Sequence, residues 1–251
     1  MSTVSTPLTT VRLYRQIAER VRGLIAQGRF ASGERLPAER ELAQLLGVSR
    51  PSVREALIAL EVEGLIEVRT GSGIYVCDRA TPRRTQPATK SGGRTGKALA
   101  TRQSDEWGPL EVLQARSLIE GELAALAAQH ASASQLRAIG SALTLMRREA
   151  KAGQQPRDGD EAFHLAVAQA SGNSVLLDTL SQYWRARDNQ LFERLGVYFE
   201  NPNSWVLAIG EHQAVFDCIR GHDATGARRA MQSHLRKAFQ RYSAGWRRAP
   251  Q

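Results

Sequence analysis

The sequence predicts a mainly α-helical protein, with an N-terminal winged helix-turn-helix followed by a C-terminal antiparallel all-α bundle. Three observations predict this fold class. Residues 8–77 contain three short helical patterns and then two short apolar, β-branched runs, and residues 107–245 are helical in pattern almost throughout. Residues 78–106 between them are basic and rich in Gly, Ser, Thr and Pro, as in a flexible linker. At 251 residues, the chain is long enough for both domains.

The first domain begins with a helical pattern over residues 11–27, which Gly28 ends. A second short helix, over 38–46, follows Pro37 and stops at Gly47. The side chains of this helix that are predicted to face inward are Leu42, Leu45 and Leu46.

Ser49 is a favourable N-cap for a third helix over 50–63. Two short strands are predicted next, over 65–68 and 74–76, with a glycine-rich tip over 69–73. The tip lacks the GxxxxGK[ST] pattern and opens no helix, which argues against a nucleotide-phosphate loop. Two helices joined by a tight turn and followed by a hairpin form a winged helix-turn-helix.

In a helix-turn-helix, the N-terminal residues of the second helix meet base edges in the major groove of DNA. The apolar positions of the 50–63 helix leave Arg50, Ser52 and Arg54 on its other faces. An arginine fork matches the O6 and N7 atoms of guanine, and the hydroxyls of Ser49 and Ser52 or the Arg40 side chain could bind phosphates. The alternative for Arg50 and Arg54 is an ordinary solvated helix face.

The run GERLPAERELAQLLGVSRPSVREALIALEVEGLIEVRTGSGIYV resembles the DNA-binding domain of the GntR family of bacterial transcription regulators. The resemblance covers residues 11–77 and implies a homodimer that reads a short palindromic operator in double-stranded DNA. Pro51 departs from the family pattern, in which Thr is common, so a hydroxyl contact is missing there. The positions that match the family's DNA-contacting residues are Arg40, Ser49, Arg50, Ser52, Arg54 and Gly71.

Helical patterns in the second half are separated by breaks at Gly153–Pro156, Gly172–Asn173, Asn201–Pro202 and Gly221. The short connections predict antiparallel neighbours in a bundle of six or seven helices. The predicted helices cover residues 109–130, 134–151, 157–171, 174–195, 203–221 and 223–245.

Four side chains of this half could bind a metal ion. Asp160 and His164 are four residues apart and therefore share one face of a helix, while His212 and His234 stand beside apolar residues on later helices. Three imidazoles and one carboxylate suit Zn²⁺, Ni²⁺ or Mn²⁺ better than Mg²⁺ or Ca²⁺. From spacing alone, each histidine could equally be a hydrogen-bonded core residue.

The segments EVLQARSLIEGELAALAA, DEAFHLAVAQASGNSVL, EHQAVFDCI and SHL are similar to the effector-binding domain called FCD, which is found in FadR-type members of the GntR family. This similarity covers residues 107–242. It implies a divalent transition metal, with Zn²⁺ favoured, bound by Asp160, His164, His212 and His234. His130 and His222 fall outside the pattern and are expected at the surface.

Arg116 either pairs with Glu120 four residues later or binds the carboxylate of a small organic acid, and the resemblance favours the second role. Arg187 is a candidate second anion-binding group. Asn173 could line the same pocket or cap a helix. The stretches WGPLEVLQARSLIEGELAALAA and WRARDN look closest to regulators of hexuronate utilisation, which implies a sugar acid as the effector.

The 34 Lys and Arg residues against 25 Asp and Glu residues give a net charge of +9, which favours a polyanionic partner. No apolar run approaches the ~20 residues of a membrane helix, and no signal peptide is visible. Cys77 and Cys218 form no zinc-finger or redox motif, as expected for reduced thiols in the cytoplasm.

We therefore expect a cytoplasmic DNA-binding regulator, a repressor in its simplest form, that a small carboxylated metabolite releases from its operator. A metalloenzyme is the alternative from another class, but four protein ligands would close a tetrahedral zinc site and no separate general base is apparent. An architectural DNA-binding protein without an effector is the third possibility. The winged domain argues against the enzyme, and the histidine set argues against the architectural protein.

Overall fold

The computed structural model describes residues 12–69, 71–78 and 107–243. The chain forms two compact units, Met1–Leu99 and Ala100–Gln251. The predicted linker over 78–106 lies outside the described residues except for Asp78, as do residues 8–11 of the first predicted domain and residues 244–245 of the second. Within the described part of the chain, no helix is long and apolar enough to cross a bilayer.

The first unit is a winged helix-turn-helix, which confirms the predicted fold class for this part. The two strands form an antiparallel hairpin in which Ile66 stands opposite Val76. Its elements are α1 (Leu13–Ala26), α2 (Glu39–Leu46), α3 (Arg50–Val62), β1 (Ile66–Arg69) and β2 (Gly73–Val76).

The turn between α2 and α3 follows from local chemistry. Gly47 adopts the left-handed backbone conformation at the end of α2, with φ of 66°, which an L side chain rarely accepts. Ser49 then caps α3, because its side-chain oxygen accepts a hydrogen bond from the Ser52 backbone N–H. The apolar face of α3 is completely buried, and its contacts with α1 and α2 form the core of this unit.

The expected inward orientation of Leu45 is wrong, since its side chain is 52% exposed. Helix α2 has only eight residues and buries the stripe of Leu42, Ala43 and Leu46. At 3.6 residues per turn, Leu45 points roughly 100° away from the centre of that stripe.

The second unit is an all-helical bundle, as predicted. Its central helix, α4, packs against α6, α7, α9 and α10. Short connections, such as residues 152–156 and 221–223, join consecutive helices, as is typical of antiparallel bundles. The helices are α4 (Pro109–His130), α5 (Ala133–Lys151), α6 (Arg157–Ala170), α7 (Ser174–Arg185), α8 (Gln190–Phe199), α9 (Pro202–Arg220) and α10 (Ala224–Ser243).

The predicted single helix over 174–195 is wrong, because the chain breaks between α7 and α8. Asn189 starts α8 by accepting a hydrogen bond from the Phe192 backbone N–H, so the break has its own capping signal. The break carries Arg187, which thereby leaves the helical path and reaches Asp160 on α6.

Candidate functional site

The candidate DNA-contacting residues of the first unit lie around the start of α3. Arg40, Ser49 and Arg50 are exposed, and Ser52 is half-buried. The hydroxyl oxygens of Ser49 and Ser52 are 2.8 Å apart. The wing residue Gly71 is exposed between β1 and β2, with φ of 78°. These residues are accessible to a nucleic acid, and their contacts with DNA remain predictions.

The position of Arg54 contradicts the expectation that its side chain contacts DNA. Its side chain is only 1% exposed and its Nη2 atom lies 2.7 Å from Oε1 of Glu39, so the guanidinium is not on a solvent face. Glu39 is itself buried on α2. A buried charge requires a partner, and this pair joins the two helices of the helix-turn-helix. Arg54 therefore holds α3 against α2 and is not available to DNA in this conformation.

The bundle brings together the four predicted metal ligands from three helices. Asp160 and His164 lie on α6, His212 on α9 and His234 on α10, and one ligand atom from each falls within 4.8 Å of all the others. The Nε2 atom of His212 lies 3.1 Å from Nε2 of His164 and 3.1 Å from Oδ1 of Asp160. The distance between Oδ1 of Asp160 and Nε2 of His164 is 3.6 Å. These separations are close to the roughly 3.4 Å between two ligand atoms of a tetrahedral zinc site with Zn–ligand bonds of ~2.1 Å.

Each of the three imidazoles is oriented by a partner of its Nδ1 atom. These partners are the Glu120 carboxylate for His164, the Ala208 carbonyl for His212 and the Glu211 carboxylate for His234. All three partners accept hydrogen bonds, so each Nδ1 carries the proton and each Nε2 keeps a lone pair for the cluster. This is the usual outer arrangement of metal-binding histidines.

This proton assignment tests whether the residues fit a metal ion. The Nε2 lone pairs of His164 and His212 face each other at 3.1 Å beside the Asp160 carboxylate. Two lone pairs and an anion repel one another unless a cation or a proton lies between them. The donor set of one carboxylate oxygen and three imidazole nitrogens fits a divalent transition metal.

The protonation equilibria favour the ligand forms of Asp160 and His234. For His164, burial opposes the charged form, but Glu120 and Asp160 raise the pKa of its imidazole, so a metal ion would compete with a proton there. Burial opposes ionisation of Asp160, but His164, His212 and Arg187 hold the pKa of its carboxyl well below the usual value. Burial and the neighbouring His212 lower the pKa of His234 to about 3, so its imidazole is neutral at pH 7. Burial also opposes ionisation of Glu120, yet Arg116 and His164 lower the pKa of that carboxyl to about 2.

A cleft that is open to solvent adjoins the cluster, and its empty space, open solvent included, is about 820 Å³. Asp160 and His234 belong to the cluster and also line the cleft, so the cleft and the cluster adjoin. The remainder of the wall combines apolar side chains, such as Val112 and Phe192, with several charged or polar groups. The arginines that line the cleft are Arg116, Arg157, Arg187 and Arg241.

Arg116 forms the first of the two contacts that the sequence left open, the pair with Glu120. Its Nε atom pairs with Glu120, and the side chain is only 4% exposed. Its Nη2 atom, however, is buried without a hydrogen-bond partner among the described residues. The guanidinium groups of Arg116 and Arg187 lie 4.4 and 4.3 Å from the centre of the Trp184 ring. One donor of Arg116 therefore remains for an anion in the cleft.

Three cleft arginines are each tied to a carboxylate that reaches the cluster. Arg187 donates to Asp160 at 3.0 Å, Arg116 pairs with Glu120, and Arg241 pairs with Glu211. Sequence reasoning did not assign Glu211 or Trp184. Glu211 directly precedes a predicted ligand in the chain, but only the packing of α9 on α10 shows that it holds His234.

Of the two alternatives for Asn173, lining the cleft and capping a helix, the structure contradicts the first. Asn173 is exposed and caps α7, because its Oδ1 atom accepts the Leu176 backbone N–H at 3.1 Å. It is absent from the cleft wall. His130 and His222 are exposed, as expected.

Comparison with known proteins agrees with this architecture. The family model described as "Bacterial regulatory proteins, gntR family" matches residues 13–76, and that of the FCD domain matches residues 111–237. The chain is 36% identical to the Uxu operon transcriptional regulator of Escherichia coli over 92% of this chain and 86% of the relative. It is 34% identical to the Exu regulon transcriptional regulator of Escherichia coli, over 89% and 82% of the two chains. The HTH-type transcriptional repressor NanR of Escherichia coli is 32% identical, over 92% and 84%.

Proposed function

The chain belongs to the gntR family of bacterial regulatory proteins and carries an FCD domain, and we propose that it is a metal-containing repressor which a small carboxylated metabolite releases from its operator. The family makes it a DNA-binding transcription regulator, not an enzyme. We further propose that it acts in the cytoplasm, as a homodimer on a palindromic operator, because two symmetric recognition helices read two half-sites.

The observation that carries the proposal is the junction between the cleft and the Asp160 cluster. A small acid in the cleft would meet the unpartnered Nη2 donor of Arg116 on one side and the metal ligands on the other. A bound divalent cation would supply positive charge for a carboxylate oxygen. An arginine donor beside it favours a carboxylate over a neutral ligand.

We propose Zn²⁺ as the metal, with Ni²⁺ or Mn²⁺ as alternatives. Asp160, His164, His212 and His234 would hold it. Imidazole-rich sets with one carboxylate favour these ions over Mg²⁺ and Ca²⁺, which prefer oxygen ligands. The buried histidines already present Nε2 toward a common point, so binding requires little rearrangement.

For the effector we favour a sugar acid such as a hexuronate. Two relatives are named as regulators of the uxu operon and the exu regulon, and one as a repressor. The cleft arginines Arg116 and Arg187 are the groups expected to receive its carboxylate. Effector and operator would bind preferentially to different states of the protein, so each would weaken the other's binding by the same factor.

DNA contact is assigned to Arg40, Ser49, Arg50, Ser52 and the wing at Gly71. Arg50 is exposed in the first turn of α3, where side chains reach base edges. Arg54 is left out of this set, because its guanidinium is buried against Glu39.

A thermal-shift and gel-shift series tests the proposal. DNA fragments selected from a random pool by the Zn²⁺-loaded protein serve as the operator, and D-glucuronate and D-galacturonate are the probes. We expect one of the acids to raise the melting temperature and to weaken the DNA complex. Arg116→Gln should remove both effects, whereas Arg220→Gln, an exposed change on α9, should keep them. Unchanged melting and DNA binding with all sugar acids would contradict the proposal.

A further inference from the structure

The wall of the cleft contains a second polar set, separate from the arginines and the histidine cluster. Glu200 follows the end of α8, Trp205 lies at the start of α9, and Tyr242 lies near the end of α10. All three line the cleft. None of them has a part in the proposed metal site or in holding a carboxylate.

Glu200 differs from the other acidic side chain of the cleft wall. The Asp160 carboxylate is surrounded by Arg187, His164 and His212. The Glu200 carboxylate accepts hydrogen bonds from the Tyr242 hydroxyl and the Gln155 amide, both of which are neutral. No Arg, Lys or His among the described residues forms an ion pair with it, although the charges of Arg187 and Asp160 both act on it from a longer distance. Its burial raises the pKa of its carboxyl above the usual value.

Trp205 lacks a hydrogen-bond acceptor, whereas Glu200 lacks a cationic partner. Its indole Nε1–H is buried and has no hydrogen-bond acceptor among the described residues. An indole N–H can only donate, so it needs an acceptor, which a ligand oxygen or a water in the cleft could supply. A buried donor without a partner is costly, and such groups in a ligand cleft commonly find their partner in the ligand.

The Glu200 carboxylate and the Trp205 indole N–H together restrict which ligand groups can bind beside them. A carboxylate or phosphate could accept from Trp205 but would be repelled by Glu200. An ammonium group could donate to Glu200 but offers nothing to Trp205. Hydroxyl groups both donate and accept, so a ligand with several hydroxyls satisfies both side chains.

We propose that Glu200, Trp205 and Tyr242 form a hydroxyl-binding subsite that selects polyhydroxylated acids over other carboxylates. This inference rests on the proposed function, because it assumes that the carboxylate of the same ligand lies at the arginines. Glu200 is then a specificity-determining residue. A site built to hydrogen-bond hydroxyls discriminates strongly against analogues that lack them, since its own polar groups are left unpaired.

The test compares two ligands of equal ring size on the full-length, Zn²⁺-loaded protein by isothermal titration calorimetry. D-glucuronate carries ring hydroxyls, and cyclohexanecarboxylate carries none. For Glu200→Gln we expect glucuronate affinity to fall about 10- to 100-fold, the range for a hydrogen bond to a charged group, while cyclohexanecarboxylate affinity stays equal or rises. Trp205→Phe should also lower glucuronate affinity selectively. Glu193→Gln, an exposed change on α8, is the matched control.

Each other outcome overturns the inference in a recognisable way. Equal losses for both ligands in Glu200→Gln would make Glu200 a structural residue. Tighter wild-type binding of 4-aminocyclohexanecarboxylate than of glucuronate would assign the subsite to an ammonium group. If glucuronate binds and its preference survives Glu200→Gln, only this inference fails. If the wild-type protein binds no carboxylate at all, the proposed function fails with it.

Discussion

Glu120 and His164 are joined by a buried hydrogen bond from the imidazole Nδ1 to the carboxylate. The other carboxylate oxygen of Glu120 pairs with Nε of Arg116, which lines the cleft. One buried acid therefore links the cleft to the histidine cluster. Glu211 forms the same kind of link between Arg241 and His234. Each of these two acids therefore connects a cleft arginine with a histidine of the cluster.

Replacing Glu120 with Gln should lower Zn²⁺ affinity about 10- to 100-fold, the usual effect of losing the partner of a metal-binding histidine. The carboxylate both orients the His164 ring and makes its Nε2 a stronger ligand. Competition with a chelating dye measures the affinity. Glu122→Gln changes an exposed residue two positions along the same helix and should leave the affinity unaltered. Equal affinities in Glu120→Gln and wild type would refute the assigned role.

Removal of the metal should destabilise the bundle. A ligand that binds only the folded state at about 1,000 times its Kd stabilises by about 4 kcal/mol, so a chelator should lower the melting temperature by several degrees. His212→Ala should abolish this response, because it removes one of the four donors. His130→Ala changes an exposed histidine and should retain it. Differential scanning calorimetry with and without chelator distinguishes the variants, and a full chelator response in His212→Ala would exclude His212 as a ligand.

Glu200 should make stability depend on pH. Its carboxyl loses its proton near the usual 4.5 when unfolded and at higher pH when folded, because burial raises the folded-state pKa. The folded state therefore binds more protons in this interval, and stability falls as the pH rises through the folded pKa. Glu200→Gln removes that loss, so its melting temperature should exceed that of wild type at pH 8. The difference should disappear as the pH approaches 4.5.

A pH series of thermal melts on both proteins measures this difference. Glu193→Gln changes an exposed acid on α8 and leaves Glu200 and its hydrogen bonds intact, so it serves as the control that should keep the wild-type trend. A constant offset between Glu200→Gln and wild type at every pH would show that the ionisation of Glu200 is not responsible.

Substitutions of Arg50 and Arg54 should have different effects, the first on DNA binding and the second on the stability of the winged unit. Arg54→Ala leaves Glu39 buried without its partner and should destabilise the winged unit by about 3–5 kcal/mol. Arg50→Ala removes an exposed side chain and should change stability by less than about 0.5 kcal/mol. The same change should weaken operator binding by about 1–3 kcal/mol. Thermal unfolding and fluorescence anisotropy with labelled operator measure the two effects, and full DNA affinity in Arg50→Ala would remove it from the contact set.

Much of the candidate site was predictable because it rests on short spacings and family motifs. Asp160 and His164 share a helix face in any helical reading of their segment. Arg54 was misplaced because helical periodicity shows which face a residue occupies, but not whether a neighbouring helix covers that face. For Asn173 the sequence left the cleft and a helix cap open as alternatives, and the structure shows the cap at the start of α7.

The sequence alone predicted most of the helices and the winged motif, since periodicity, caps and turn residues act over a few positions. The four candidate ligands came from the family resemblance. Only the tertiary structure decided that Glu120 and Glu211 orient the histidines, that Trp184 lies against two arginines, and that Glu200 and Trp205 share the cleft wall. These pairings join residues on different helices. Their distances are set by how the helices pack, and no local pattern in the chain encodes those distances.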